Sequence, residues 1–447
     1  MTRNHPDFIR AYTDALTPKG EAPERFHFWT AVSTIGGALR RRVYIDQGHF
    51  RHFANFYIVL VGPPGLIKKS TTINVGANLL RDVPNVITGA DCSTWQAFVE
   101  EVAQAKDMFA EGDPPLDALE TVFQVSCCLS LTISEFGTFF DPNDRQMVNV
   151  LTELYDCKVG AAFRKRTKTQ GEDELMNPFV NIITGTTPKW IGDNFKGRFG
   201  GWGLSSRMIF MHCDEKERDV AFPDELWGDT YEPTMAAFLE DLTEMSRLSG
   251  PIRIASAARL FYKEWYAAHG RRVTALNRHA HHDEWLEYYL ARKDIHILKL
   301  AIVLSVSRSN ALEITLEDMQ LAVARCDEIE NELAKVFAGR SDANREVKLN
   351  QDVWNGLCRI IAHNNGIEDY EFFSFTIQYM TGGKANELLK QLLGAKWLER
   401  VQEQGTVFLR FGEHAQFSEK VRQELDAMAV SPDLSPLLQS APDAQSC

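Results

Sequence analysis

Nowhere in this sequence do apolar residues run for the roughly 18 positions that a membrane helix needs, and Met1 to Pro18 lacks the apolar stretch of a secretion signal. The expectation is a cytoplasmic chain with no membrane partner. Its eight cysteines, Cys92, Cys127, Cys128, Cys157, Cys213, Cys326, Cys358 and Cys447, form no CxxC pair. That excludes the usual zinc and redox motifs and leaves free, mostly buried thiols. Positive charge is scarce as well: 48 Lys and Arg stand against 61 Asp and Glu, a net charge of -13. Such a surface does not attract nucleic acid in general. Contact with DNA or RNA must be local, as in a ring with a basic lumen and an acidic exterior.

What is present is an ordinary globular composition, 44% hydrophobic and 24% charged, over 447 residues. That length exceeds what one hydrophobic core usually serves, so two or three domains are expected.

The most informative stretch is NFYIVLVGPPGLIKKSTT, Asn55 to Thr72. A strand-like apolar run ends in Gly and Pro, and Ile73 to Leu80 then reads as a helix. A strand, a tight loop and a helix start is the setting of a phosphate-binding loop. There backbone N–H groups and the helix dipole meet the phosphates, a lysine neutralises the β- and γ-oxygens, and a hydroxyl residue holds Mg2+. Gly62, Pro63, Pro64, Gly65, Lys68, Lys69, Ser70 and Thr71 form this candidate ATP site. Lys69 takes the lysine role and Ser70 the metal role. The stretch departs from GxxxxGK[ST], since Pro63 and Lys68 fall at its glycine positions. Gly62 and Gly65 match a GPPGTGK-type loop one residue longer, and without the extra residue Lys68 becomes the phosphate lysine.

A second apolar strand, Leu129 to Ile133, ends at Ser134 and Glu135. A carboxylate at a strand tip can polarise the attacking water. Ser134 stands where an aspartate is usual, and it would contact the metal only indirectly. A third strand, Phe179 to Thr184, runs into Gly185, Thr186 and Thr187, making Thr184, Thr186 and Thr187 candidate γ-phosphate sensors. The glycine-rich stretch Gly197 to Gly203 then delivers Ser205, Ser206 and Arg207 to a further strand. Arg207 is the candidate arginine finger, commonly supplied by a neighbouring subunit, with Arg198 second. The alternative for Arg207 is a structural pair with an acidic neighbour such as Asp214 or Glu215.

Between the second and third strands lies AAFRKRTKTQGEDELMNP, whose QGED turn can close a hairpin. Arg164, Lys165, Arg166 and Lys168 would supply sequence-independent phosphate contacts, and Phe163 stacking. A solvated loop balanced by Glu172, Asp173 and Glu174 is the other reading.

Ile252 to Gly339 reads as successive amphipathic helices, a lid from which Arg292 can reach the phosphates. Gly339 to Asn350 is polar and linker-like. Helices are expected near Val353 to His363, Phe372 to Tyr379 and Lys384 to Leu393, followed by a hairpin turning at Gln404 and Gly405. This end reads as a winged helix in which Lys384, Lys390, Lys396 and Arg400 meet DNA, or as a protein-docking module. A short helix and a disordered tail follow Ser418.

Taken together, APERFHFWTAVSTIGGALRRRVYI, NFYIVLVGPPG, LTISEFGTFF, ELYD, NPFVNIITGTTPKW, GGWGLSSRMIF, HILKLAIVLS and ITLEDMQLAV resemble phage and prophage P-loop ATPases known as primase-helicase-like proteins, of the AAA+ or superfamily 3 kind. The resemblance covers roughly residues 20 to 340. It implies ATP hydrolysis in an oligomeric ring, a hexamer, that moves along single-stranded DNA during replication of a mobile element. By the same resemblance Lys69, Ser70, Glu135 and Arg207 carry over to the nucleotide site. Many relatives bear a primase domain ahead of the ATPase, so here a separate primase is expected.

The expected fold class is α/β: a P-loop NTPase core of AAA+ or RecA-like type with helical lead-in and lid, plus a C-terminal winged helix. The expected boundaries are 1–50 lead-in, 51–220 ATPase core, 221–340 lid, 350–415 winged helix and 416–447 helix and tail. A replication initiator or helicase loader that uses ATP as a switch, or a nucleotide-binding defence or scaffold protein, are the other functions open to this sequence.

Overall fold

A computed structural model describes residues 3–91, 93–110, 123–167, 171–195, 203–276, 284–338, 342–376, 378–379, 382–403, 406–417, 421–422 and 425. The chain divides into two compact units, Met1–Arg340 and Ser341–Cys447. Both mix helix and strand.

The first unit is built on a five-stranded sheet. Its order is Lys106–Ala110, Phe123–Ile133, Pro178–Thr186, Tyr57–Val61, Met208–His212. The last four pair in parallel, and Lys106–Ala110 runs antiparallel along the edge. Every residue of Tyr57–Val61, Pro178–Thr186 and Met208–His212 is buried. That explains their continuous apolar runs, since a parallel sheet is covered on both faces.

Helix Glu24–Leu39 is buried along nearly its whole circumference, from Phe26 to Leu39. It packs on helix Lys69–Asp82 and on strand Pro178–Thr186, so it is apolar all round rather than amphipathic. Helix Leu316–Ala338 lies against Met208–His212, with Phe337 edge-on to Phe210 at 5.4 Å. Lead-in, sheet and C-terminal helices thus share one hydrophobic core. The helices expected after Ile252 are Ser256–Leu276, Glu284–Leu290, Lys293–Arg308 and Leu316–Ala338. Among the described residues no helix is long and apolar enough to cross a membrane.

The hairpin expected around the QGED turn is present: Ala161–Thr167 pairs antiparallel with Gly171–Met176. Its register sets Arg164 opposite Glu174, Lys165 opposite Asp173 and Arg166 opposite Glu172. Lys168 lies outside the described residues, as do the hairpin's side chains around Arg164, Lys165 and Arg166.

In the second unit the segment read as a linker is corrected. From Asp342 it belongs to helix Asp342–Asn364, and residues 342–352 hold no Gly or Pro to break one. Helices Asp369–Thr376 and Gly382–Gly394 follow, then antiparallel strands Leu398–Glu403 and Thr406–Phe411, the latter also pairing with Ile367–Glu368. Trp354, Leu357, Phe372, Leu388 and Leu409 fill this unit's own core. The turn at Gln404 and Gly405, the side chain of Lys384 and the tail from residue 426 lie outside the described residues.

Candidate functional site

Four parallel strands ending at one edge of a sheet make a crevice where ligands commonly bind, at the strand from which connections leave in both directions. Here that strand is Tyr57–Val61. It is flanked by Pro178–Thr186 on one side and Met208–His212 on the other, with Val61 level with both Thr186 and His212. The loop Gly62 to Lys68 leaves from this point and enters helix Lys69–Asp82.

The loop's residues follow from its geometry. A Cβ at Gly62 would stand 1.9 Å from Ile67 Cδ1 and 2.4 Å from the Cys213 carbonyl oxygen, while Gly65 holds φ +72. Only glycine satisfies both places without strain. Ile67, fully buried, pins the loop from inside, an anchor the polar motif pattern does not reveal. Gly62→Ala is therefore expected to deform the loop and to destabilise the first unit by about 1–3 kcal/mol. A urea unfolding curve superposable on wild type would contradict this.

The two lysines separate cleanly. Lys69 is buried, and its Nζ donates to the carbonyl oxygens of Gly62 at 2.7 Å and Pro63 at 3.0 Å, so its ammonium lies within the loop. Lys68 is exposed, points to Glu21 at 3.4 Å and sits at φ +45. It occupies the left-handed backbone position before the helix that glycine fills in the consensus. Lys68→Gly should relieve that conformation, worth about 1 kcal/mol. It gives up only an exposed ion pair of about 0–1 kcal/mol. A small rise in the unfolding midpoint is expected, and a fall would assign the Lys68 side chain a structural role.

Around Lys69 the neighbouring strand tips converge. A Cβ on Gly185 would lie 2.9 Å from the Ser134 carbonyl oxygen and 3.5 Å from Lys69 Cβ, which puts the second and third strand ends against the loop helix. Glu135 is exposed at the N-cap of the short helix Phe136–Phe139. Burial pushes the Lys69 ammonium down and nearby Glu135 pulls it back up. Conversely, partial desolvation raises the Glu135 carboxyl and Lys69 lowers it. Ser70, Thr71 and Ser134 are exposed at the same edge.

The three candidate threonines have different duties. Thr187 caps helix Pro188–Asn194, accepting from Trp190 N at 3.1 Å. The hydroxyls of Thr184 and Thr186 are buried without a hydrogen-bond partner among the described residues. Thr186 lies beside the loop, its carbonyl accepting from Gly62 N at 3.2 Å. An orphaned hydroxyl next to the loop is the feature a bound polar group would satisfy.

Arg207 is not brought to this edge. It precedes Met208, which is level with Tyr57 at the opposite end of the strand, about 16 Å of strand rise from the loop. Nor does it pair with Asp214 or Glu215. Its guanidinium grips Asp156 twice, at 2.7 and 3.2 Å, and donates to the Gly203 carbonyl at 2.8 Å. Arg292 reaches Asp156 from the other side at 3.0 Å. Asp156 closes the ELYD segment, where its pairing with a residue 51 positions later left no local trace. Close by, burial pushes the Lys299 ammonium down to about 8, and Lys299 donates to Asn55 Oδ1 at 2.7 Å. Arg198 lies outside the described residues.

In the second unit Arg400 is paired with Asp369 at 3.0 Å, Lys396 with Glu413, and Lys390 is exposed on helix Gly382–Gly394. Against known proteins the chain matches no family model and no curated sequence.

Proposed function

We propose that this chain is a Mg2+-dependent ATPase of the AAA+ or superfamily 3 type, working as an oligomeric ring that translocates on DNA in a replication system of the phage or mobile-element kind. One observation carries the reading. Lys69, Glu135 and the unpartnered Thr186 hydroxyl gather around the Gly62 to Thr71 loop at the edge where four parallel strands end.

The residues fit the substrate. Backbone N–H groups at the start of helix Lys69–Asp82 and the Lys69 ammonium offer the positive field that phosphates need. Glu135 is the base that orients and deprotonates water for attack on the γ-phosphorus, with cleavage of the β-γ phosphoanhydride. Thr186 donates to a phosphate oxygen. Ser70, with Ser134 behind it, would hold Mg2+, whose charge offsets that of the phosphates. Arg207 acts on the nucleotide of a neighbouring copy, because strand length keeps it from its own. The second unit, in this reading a winged helix, contacts DNA or docks a partner such as a separate primase, and the hairpin Ala161–Thr167/Gly171–Met176 faces the ring pore.

An initiator or loader switched by ATP is the second reading, favoured by the two-point grip of Asp156 on Arg207. A finger held within its own chain must be released before it serves another. ATP hydrolysis by the purified protein, with and without single-stranded DNA, separates the two. Strong stimulation by DNA supports the motor, and slow turnover indifferent to DNA supports the switch. No hydrolysis by any assembled form would sink both.

A further inference from the structure

A cavity of about 270 Å³ lies away from the phosphate loop, on the side of the sheet where Arg207 grips Asp156. Arg51, Arg292 and Lys299 line it with positive charge. Among the described residues its one lining carboxylate is Asp156, already held twice by Arg207, which stands outside the cavity. The other titratable lining groups are neutral. Burial, then the charge of Lys299, lowers the His52 imidazole to about 4, and burial pushes the Cys157 thiol and the Tyr155 phenol up. Lys299 departs from the rule that buried charges are paired. Its ammonium is 3% exposed and lies 3.7 Å from the centre of the Tyr155 ring. Besides Asn55 Oδ1 it donates to the carbonyl oxygens of Asn55 at 3.3 Å and Tyr155 at 3.5 Å, all of them neutral acceptors. Among the described residues Arg292 engages only Nη1, on Asp156 at 3.0 Å, so its remaining N–H groups are open to a further acceptor.

We infer that this cavity binds a small dianionic oxyanion, gripped by Lys299 and Arg292 with Arg51 beside them. The charges set the class. Three cations face one carboxylate across the cavity, and a dianion closes that difference where a neutral or cationic ligand leaves it open. The partners just outside, Arg207 on Asp156 and Asp46 on Arg51, add one charge of each sign. The placement of the cations suits the same ligand. Arg292, Ile295 and Lys299 fall on one stripe at the start of helix Lys293–Arg308, so guanidinium and ammonium address one space from one wall. A guanidinium fork takes two oxygens of a phosphate or carboxylate, and the ammonium takes another. Phe50 and Phe53 add apolar surface, which keeps water off the ion pairs and strengthens them. The volume falls just below the range of drug-sized ligands. That limits the occupant to something of the size of inorganic phosphate or a short dicarboxylate. The site is independent of the nucleotide reading, since none of its residues belongs to the loop or its helix.

The test is calorimetric titration of the full chain by inorganic phosphate and, separately, by succinate, at neutral pH and with ionic strength held constant by chloride. Wild type, Lys299→Met, Arg292→Gln and Lys69→Ala are compared. Wild type is expected to bind at least one of the two anions with a Kd of about 1 mM or tighter. The tighter of the two identifies the class, phosphate or dicarboxylate. Arg292→Gln should weaken that anion by about 10-fold or more, the scale of one hydrogen bond to a charged group. Lys299→Met, if folded by circular dichroism, should do the same, and Lys69→Ala should leave the affinity unchanged. Because Arg292 is only half-buried, its variant keeps the test decisive if the buried lysine variant does not fold. Neither anion bound by wild type, or affinity unchanged in Arg292→Gln, overturns the site. Binding lost in Lys69→Ala and kept in Arg292→Gln belongs to the phosphate loop, which overturns the site and leaves the ATPase reading intact.

Discussion

Replacing Glu135 with glutamine is expected to lower the ATPase kcat by about 10²–10⁴-fold, the usual contribution of a general base, with ATP affinity nearly unchanged. Glutamine keeps the shape beside Lys69 but cannot take a proton from water. Lys69→Ala should lose affinity and turnover together, because its ammonium sits inside the loop itself. The pH profile supplies a second readout. Partial desolvation raises the Glu135 carboxyl, and the pull of Lys69 only partly offsets this. The base must be ionised to act, so wild-type kcat should fall on acidification through a value above the ordinary carboxylate range, and Glu135→Gln should lack that limb. The stability sign is opposite to that of a favourable ion pair. A carboxyl whose pKa rises on folding takes up protons more readily when folded, so its ionised form opposes folding at neutral pH. Glu135→Gln should therefore leave the unfolding midpoint level or slightly raised. A variant that loses its fold along with its activity would make Glu135 a structural residue instead.

Asp156→Ala is expected to cost about 3 kcal/mol of stability, the scale for breaking a buried ion pair. It leaves the Arg207 side chain, 9% exposed, and Arg292 without their carboxylate. Adding Arg207→Met should recover part of the loss, the mark of coupling between the two positions. Burial pushes the Asp156 carboxyl up, but Arg207, Arg292 and Lys299 outweigh it and hold it below the usual carboxylate range. A carboxyl lowered on folding contributes stability that is full above its unfolded pKa and is lost as pH falls through the folded one. Wild type should thus lose this contribution in acid, below about pH 4, and Asp156→Ala should show a flatter acid limb. Urea titrations at pH 7 and pH 3 check both statements. Equal midpoints for the variant and wild type at pH 7 would show that the pair adds nothing.

The strand, loop and helix of Asn55 to Leu80 were legible in the sequence because their causes are local. The Gly and Pro residues that shape the loop, the apolar strand before it and the helix after it all fall within Asn55 to Leu80. The hairpin was legible for the same reason, since QGED lies between strands of opposite charge. What stayed hidden depends on pairs distant along the chain. Lys68 and Lys69 are equivalent as letters, and only the positive φ of Lys68 decides which ammonium enters the loop. Arg207 could be read as a finger or as half of an ion pair, and its partner Asp156, just past helix Arg145–Tyr155, is brought to it only by the folded chain, from 51 positions away. Polarity misled in one place: the stretch read as a linker belongs from Asp342 to helix Asp342–Asn364. The helical lead-in includes Glu24–Leu39, which is buried within the first unit.

The chain's opening residues also find their partners almost 300 positions later. Ile9 N donates to Ser307 Oγ at 2.9 Å, and Arg325 pairs with Glu24 at 2.9 Å. At a synthesis rate of about 5–20 residues per second, Ile9 and Glu24 wait roughly 15–60 s after leaving the ribosome for Ser307 and Arg325. A ribosome stalled before Lys293 would carry a nascent chain whose strand Tyr57–Val61 and the loop after it are complete and whose helices Phe8–Leu16 and Glu24–Leu39 still lack these two partners.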